Sequence, residues 1–122
     1  IEFVQNVLKG EEIRIFGDGS HEREYVSVAD VALGLWKAVE WSIVAGKGYH
    51  PFFLTGNRIS MRNLAEKVVK KFGGSVAYIP KTIQTFSLTT DPVDSKQLFG
   101  FEVHNDLDSI LADVARYAAP SK

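Results

Sequence analysis

The organisation of this chain follows from one stretch near its beginning, Ile13-Arg14-Ile15-Phe16-Gly17-Asp18-Gly19-Ser20-His21-Glu22-Arg23-Glu24-Tyr25-Val26-Ser27-Val28-Ala29-Asp30-Val31-Ala32. Its first four residues alternate as in a short strand. The next four have turn chemistry, because Asp and Gly tolerate the left-handed backbone of a tight reversal. Residues 25–26 are β-prone again, and Ser27 can cap a helix. The stretch therefore predicts a strand, a turn, a second β-prone segment and a helix.

Arg23 lies between the predicted turn and the predicted helix. A guanidinium just ahead of a helix N-terminus suits an anionic ligand, because its donors and the unpaired amide N–H groups can converge on that ligand. The alternative is that Arg23 pairs with Glu22, Glu24 or another surface carboxylate, since such ion pairs are common and weak. The residues alone leave both interpretations open.

Length and composition indicate one ordinary globular domain over residues 1–122. Of these residues, 45% are hydrophobic and 24% are charged, which allows a buried core and argues against disorder. The formal net charge is −1 and like charges form no run. The sequence therefore predicts neither a nucleic-acid-binding surface nor a membrane surface.

Cysteine is absent, which excludes disulfides and thiol chemistry and fits a reducing compartment. No apolar run approaches the roughly 18 residues that a membrane span needs. No basic region precedes an apolar one, as it would in a signal peptide. A cytoplasmic protein is therefore expected.

Apolar periodicity predicts a helix on each side of the first strand. Residues 1–9 are expected to form a helix that Gly10 ends, and since no cap precedes Ile1, the chain is expected to be cut from a longer one. A second helix is expected from Val28, capped by Ser27. Its apolar residues with helical period are Val28, Val31, Ala32, Leu35, Trp36 and Val39.

Shorter elements are expected further along. Residues 49–55 and 75–79 read as strands, the first followed by a turn at Gly56-Asn57. Ser60 is expected to cap a helix whose inward residues are Met61, Leu64, Ala65, Val68 and Phe72.

The remaining residues predict a loop or edge strand over 81–90 and a short helix that begins at Asp91-Pro92. A last helix begins near Asn105 and Asp108. The predicted fold is α/β, with about three short strands and four to five helices.

Fingerprints of catalysis and cofactor binding are missing. The glycines do not form G-x-G-x-x-G after a strand, and no Walker sequence occurs. None of the four tyrosines has a lysine four positions later, which excludes a Tyr-x-x-x-Lys pair. The three histidines, His21, His50 and His104, lack the spacing of metal ligands. On its residues alone the chain has no visible catalytic centre and no metal site.

The opening stretch resembles the substrate-domain signature of the NAD-dependent epimerase/dehydratase family, the extended short-chain dehydrogenases that act on nucleotide sugars. The motifs that carry the resemblance are Gly17-Asp18-Gly19, Arg23-Glu24-Tyr25-Val26 and Asp30-Val31-Ala32. Later segments are similar in the same order, namely Phe53-Leu54-Thr55-Gly56, Ser60 with Leu64-Ala65-Glu66, and Asp91 through Gly100-Phe101. The resemblance thus covers essentially the whole chain.

The resemblance implies a small C-terminal substrate-domain fragment that lacks the Rossmann dinucleotide-binding half. The family's glycine fingerprint and its catalytic tyrosine and lysine would lie upstream. The fragment is then expected to bind no cofactor and to supply no catalytic residue, while NAD(P) is expected in the parent enzyme. The expected partners are a nucleotide-sugar substrate, the missing Rossmann domain and a second copy in a homodimer.

For single residues, the resemblance implies that Arg23 contacts the diphosphate of the nucleotide sugar, with Tyr25 beside it. Lys81 stands where many members have a second substrate arginine, and lysine contacts phosphate as a point charge without the arginine's fork. Glu24 replaces the family's usual Asp, and Ser27 replaces an aromatic residue or His. These departures allow for an unusual substrate.

Two functions from different classes follow. The first is the substrate-binding part of a nucleotide-sugar epimerase or dehydratase, which does not itself catalyse. The second is a stand-alone, non-catalytic binding or protein-interaction module that reuses the fold.

Overall fold

The computed structural model describes residues 1–45, 47–80, 86–88, 90 and 93–118, with the backbone alone for 93 and 94. In chain order these residues form α1 (Glu2–Leu8), β1 (Ile13–Phe16), β2 (Glu22–Tyr25), α2 (Val28–Ala45), β3 (Asn57–Ser60), α3 (Met61–Phe72), β4 (Val76–Ile79), α4 (Val93–Phe99) and α5 (Leu107–Ala118). The predicted α/β class is confirmed, with five helices and four strands in this part of the chain. The predicted start of α4 at Asp91-Pro92 lies outside the described residues.

The four strands pair across long sequence distances. Strand β1 runs parallel to β4, with Ile13 opposite Val76, and β2 runs antiparallel to β3, with Arg23 opposite Ile59. Each described sheet therefore has two strands. No helix among the described residues is long and apolar enough to cross a membrane.

The predicted turn between β1 and β2 is confirmed, and its chemistry is visible. Gly17 and Gly19 have φ values of 81° and 71°, which an L side chain rarely adopts. Asp18 Oδ1 accepts hydrogen bonds from the Ser20 amide at 3.0 Å and from its hydroxyl at 2.7 Å. The Asp18 carbonyl oxygen accepts from Nη2 of Arg62 at 2.6 Å, so the turn is held against the first turn of α3.

The core lies where α1, α3 and α5 pack over β1. Strand β1 alternates between buried and exposed residues, as the sequence predicts, so its two isoleucines point inward. The buried cluster consists of Val4, Val7, Ile13, Ile15, Leu64, Ala65, Val68 and Leu111.

Helix α2 forms as predicted, but most of its periodic apolar residues are exposed. Val28 is 85% exposed and Trp36 is 62% exposed, whereas the buried residues of α2 are Asp30 and Gly34. Leu54 packs so closely on Gly34 that a Cβ at this position would crowd the ends of the Leu54 side chain. The inward face of α2 is therefore determined by the buried carboxylate of Asp30 and by the close packing of Leu54 on Gly34.

The predicted strand over residues 49–55 is wrong. This segment has no ladder, and side chains hold it instead: Phe52 packs edge-on against Phe99 with ring centroids 5.0 Å apart, and Trp41 contacts His50. The strand lies later, at β3, where the sequence predicted a turn and a helix cap. Pro51 removes one ladder donor from the predicted strand, whereas β3 has β2 as a partner.

Ser60 caps α3, as the sequence predicts, and its replacement by alanine should weaken the fold. Ser60 has extended dihedral angles, and its hydroxyl oxygen accepts from the Asn63 amide at 3.2 Å. We expect Ser60→Ala to lower the free energy of unfolding by about 1 kcal/mol, measured by urea denaturation. Ser42→Ala is the control, because the Ser42 hydroxyl only donates to Val39 within α2. Equal losses in the two variants would contradict the cap.

Candidate functional site

Arg23 lies within β2, and its guanidinium is anchored by the backbone. The half-buried side chain uses Nη1 to donate to the carbonyl oxygens of Glu22 at 2.9 Å and Phe86 at 2.7 Å. One guanidinium nitrogen of this type carries two N–H groups, so both donors of Nη1 are engaged. The orientation of the guanidinium is therefore set by two carbonyl groups, one from the preceding residue and one from a residue 63 positions away.

The carboxylates that flank Arg23 have other partners. Oε2 of Glu22 accepts from Nε of Arg58 at 2.7 Å, and Oε2 of Glu24 accepts from the Thr90 hydroxyl at 2.7 Å. Successive side chains alternate across a strand, so both carboxylates lie on the side of β2 opposite to Arg23. Within the described residues, the alternative of a carboxylate ion pair with Arg23 is not formed.

The remaining edge of the Arg23 guanidinium carries Nε and Nη2. Neither atom donates a hydrogen bond to any residue that the structure describes. This edge presents two parallel N–H groups, which match two oxygens of a phosphate or carboxylate. Because Nη1 is already anchored, the arrangement can bind an anion bidentately with little reorganisation of the side chain.

A short segment that we call the strap, consisting of Phe86, Ser87, Leu88 and Thr90, lies along the edge of β2 that β3 leaves open. The Leu88 amide donates to the Glu22 carbonyl oxygen at 3.3 Å, and the Ser87 hydroxyl accepts from the Glu22 amide at 3.0 Å. The strap also supplies the Phe86 carbonyl that holds Arg23. Sequence reasoning missed these residues, because 63 positions separate Phe86 from Arg23 and no local pattern links them.

Tyr25 lies two positions after Arg23, on the same side of β2. Its ring packs against the core and lines an apolar cavity of about 240 Å³ between α1, α3 and α5. Its hydroxyl donates to the sulfur of Met61 at 3.5 Å. Burial raises the pKa of Tyr25 above 10.0, and the charge of Arg23 acts in the opposite direction. Tyr25 is therefore a neutral, largely apolar neighbour of the arginine.

Lys81, the third predicted binding residue, lies outside the described residues. The Asp30 amide donates to the Ser27 hydroxyl at 2.9 Å, which confirms the predicted cap and leaves one amide fewer at the N-terminus of α2 for an anionic ligand. The described part of the site is thus Arg23, Tyr25 and the strap.

Asp30 has a role that the sequence did not reveal. Its side chain is 1% exposed, and its two carboxylate oxygens accept from the backbone amides of His104 at 3.1 Å and Asn105 at 3.0 Å. Burial raises the pKa of Asp30, but these hydrogen bonds, with the side chains of Asn105 and Ser27, outweigh burial and leave it below 3.8. Asp30 therefore ties α2 to the segment before α5.

The glycine-rich turn at Gly17 differs from a dinucleotide-binding loop. It leads into strand β2 rather than into a helix, so it does not place its amides at a helix N-terminus. No group of three His, Asp or Glu side chains in this part of the chain could hold a metal ion. The chemistry that the site supports is anion binding.

Comparison with known proteins agrees with the resemblance. The model of the NAD dependent epimerase/dehydratase family matches residues 1–50. The sequence matches no curated protein.

Solved structures share the fold over nearly the whole chain. The UDP-glucose 4-epimerase of Thermotoga maritima, solved with UDP-glucose, is 26% identical and has a TM-score of 0.77, covering 95% of this chain and 37% of its own. The UDP-glucuronic acid 4-epimerase of Bacillus cereus in complex with NAD is 18% identical, with a TM-score of 0.75 over 96% of this chain and 36% of its own.

An L-threonine dehydrogenase of Cupriavidus necator is 13% identical, with a TM-score of 0.77 over 94% of this chain and 40% of its own. At such identities the last two matches show the fold alone. This chain spans less than half the length of each of these three proteins. The predicted resemblance to the NAD-dependent epimerase/dehydratase family is confirmed: residues 1–50 match the family's model, and the fold is that of part of a UDP-glucose 4-epimerase.

Proposed function

We propose that this chain is the C-terminal, substrate-binding part of an NAD-dependent nucleotide-sugar epimerase or dehydratase, and that residues 1–122 form one domain of it. Arg23 contacts the diphosphate of the nucleotide sugar. The observation that carries this proposal is the guanidinium that is anchored through Nη1, while its Nε–Nη2 edge meets no acceptor among the described residues. A diphosphate offers pairs of anionic oxygens that suit this edge.

The chemistry of related proteins supports the choice of ligand. The Thermotoga maritima epimerase was solved with UDP-glucose, and a Bacillus cereus epimerase with UDP-glucuronic acid and NAD. Both ligands are nucleotide diphosphate sugars, which agrees with the anion that Arg23 fits best. A carboxylate could also accept from Nε and Nη2 of Arg23, but it has no second anionic group for Lys81 to contact.

Tyr25 and Lys81 complete the proposed site. The ring of Tyr25 gives Arg23 an apolar neighbour, which strengthens a charge-assisted hydrogen bond by excluding water. Lys81 follows β4 closely in sequence, and we assign it to the second phosphate as a point charge.

The share of this chain in the reaction is to bind and orient the substrate. Hydride chemistry belongs to NAD, held by a dinucleotide-binding domain outside this chain. That domain, the nucleotide sugar and a second copy in a homodimer are the proposed partners. The absence of cysteine agrees with a cytoplasmic location.

Replacement of Arg23 tests the proposal directly. We expect Arg23→Ala to weaken UDP-glucose binding by about 10- to 100-fold, because charge-assisted hydrogen bonds contribute about 1.5–3 kcal/mol each. Arg23→Lys should give an intermediate affinity, since it keeps the charge and loses the fork. The measurement is calorimetric titration of the full-length protein.

Two controls separate the loss of a contact from a general defect. Arg58→Ala removes an equal charge from the neighbouring strand, where Arg58 pairs with Glu22, and should change the affinity less than about threefold. Uridine, which lacks the phosphates, should bind wild type and Arg23→Ala equally. An unchanged affinity of Arg23→Ala for UDP-glucose would overturn the proposed role of Arg23.

A further inference from the structure

The strap touches β2 through contacts of unequal strength. Its backbone contact with β2 is long, since the Leu88 amide lies 3.3 Å from the Glu22 carbonyl oxygen. Two side chains of β2 contact the strap at 2.7 Å: Arg23 Nη1 donates to the Phe86 carbonyl oxygen, and Oε2 of Glu24 accepts from the Thr90 hydroxyl. The Thr90 amide lies 3.3 Å from each of the two carboxylate oxygens. Charge-assisted bonds are roughly twice as strong as neutral ones, so Glu24 makes the strongest contact that holds the strap apart from the Arg23–Phe86 bond itself.

The position of the strap bears directly on Arg23. Of the two carbonyl groups that anchor Nη1, the one on the strap, Phe86, is closer, at 2.7 Å against 2.9 Å for Glu22. The Glu22 carbonyl alone cannot fix the plane of the guanidinium, because one hydrogen bond leaves rotation about its axis free. The Phe86 carbonyl supplies the second point of attachment.

We propose that Glu24 is a positioning residue for the anion site: by fastening Thr90 it keeps the Phe86 carbonyl on Nη1 and so directs the Nε–Nη2 edge of Arg23 toward the ligand. This inference rests on the proposed function, since it assigns a role toward the same diphosphate. Glu24 does not touch the ligand in this scheme and acts only through the strap and Arg23.

The sign of the expected effect distinguishes this role from simple electrostatics. Glu24 carries a negative charge one residue away from a site for an anion. If it acted only through its charge, its removal would strengthen binding of a diphosphate. A fastening role predicts the opposite, because a released strap lets the guanidinium turn and costs conformational entropy when the ligand binds.

The experiment uses UDP as the probe and calorimetric titration of the full-length protein. Glu24→Ala and Thr90→Val both remove the short contact, and each should weaken UDP binding by about tenfold, the loss of one good charge-assisted bond. Glu24→Gln keeps an oxygen that can accept from Thr90 but loses the charge assistance, so its loss of UDP affinity should be smaller than that of Glu24→Ala, within about threefold of wild type.

Glu22→Ala is the matched control. It removes the same charge from the same side of β2, but the Glu22 side chain pairs with Arg58 and the strap contacts only its backbone. Its UDP affinity should stay equal to wild type or rise. In the Arg23→Ala background, Glu24→Ala should cause no further loss, because its effect passes through Arg23.

Several results would overturn the proposal. They are unchanged or tighter UDP binding by both Glu24→Ala and Thr90→Val, an equal loss in Glu24→Gln and Glu24→Ala, and an undiminished effect of Glu24→Ala without Arg23. If Arg23→Ala weakens binding while the strap variants do not, the proposed function stands and this inference fails. If wild type does not bind UDP, both fail.

Discussion

Asp30→Ala is expected to lower the free energy of unfolding by about 3 kcal/mol, because it removes two charge-assisted hydrogen bonds that contribute about 1.5–3 kcal/mol each. The carboxylate is 1% exposed and joins α2 to the backbone amides of His104 and Asn105. Alanine leaves these two donors without an acceptor and opens a small cavity beside them. The measurement is urea denaturation at neutral pH, followed by circular dichroism.

Two other substitutions show whether the buried acceptor is the cause. Asp30→Asn keeps the shape but turns an NH₂ group toward one backbone donor, so it should retain much of the loss. Asp106→Ala removes an exposed carboxylate whose Oδ1 accepts from the Ser109 amide at 2.8 Å, and it should cost clearly less. An Asp30→Ala variant as stable as Asp106→Ala would contradict the assigned role of Asp30.

The contribution of the Asp30 carboxylate to stability should depend on pH. The pKa of Asp30 in the folded chain lies below the ordinary value of 3.8, so its ionised form is favoured by folding. Its contribution to stability is therefore complete above that value and is lost as the pH falls through the lower, folded pKa. The difference in unfolding free energy between wild type and Asp30→Asn should shrink accordingly as the pH falls from about 5 toward about 2.

Gly56→Ala is the second substitution with a large expected effect. A Cβ at this position would overlap the carbonyl oxygen of Tyr25 and crowd the Cα of Val26. Both are backbone atoms of the chain around the end of β2, so the crowding can be relieved only if the strand moves. We expect a loss of about 3 kcal/mol in unfolding free energy, at the upper end of what overpacking usually costs.

The same substitution should also reach the anion site, since displacement of β2 carries Arg23 with it. Weaker UDP binding should therefore accompany the loss of stability. Gly10→Ala is the comparison, because a Cβ at Gly10 meets nothing within 4 Å and only its φ of 76° is unfavourable. That strain alone costs about 1–2 kcal/mol. Equal losses of unfolding free energy in Gly56→Ala and Gly10→Ala would show that overlap with the Tyr25 carbonyl oxygen does not determine the cost of Gly56→Ala.

The sequence predicts those elements that local chemistry determines. The turn at Gly17 and Gly19 forms because glycine and aspartate suit its backbone, and α3 begins where Ser60 can cap it. The order β1, turn, β2 and α2 is therefore readable without a structure. The family resemblance follows from the same residues, which explains why it could be stated from the sequence.

Features that depend on distant partners and have no local pattern could not be predicted. Strand β3 has the residues Asn57, Arg58, Ile59 and Ser60, whose polar character does not suggest a strand, and it forms because β2 offers an edge. Helix α2 has a clear period, but Asp30 and Gly34 decide which face turns inward. Arg23 was identified from its place in a motif, while its anchors, two carbonyl oxygens, carry no side-chain signal at all.

The pairing of the strands has a consequence for how this chain assembles. Two continuous stretches, residues 13–25 and 57–79, each supply one strand to each sheet. The first contains β1 and β2, and the second contains β3 and β4. Neither sheet can close before these stretches meet, and once they meet both sheets can form. Such non-local pairing slows folding, because the loop between the stretches must be closed before contacts compensate its entropy. The strand that carries Arg23 is therefore expected to pair only after residues 57–79 have reached residues 13–25.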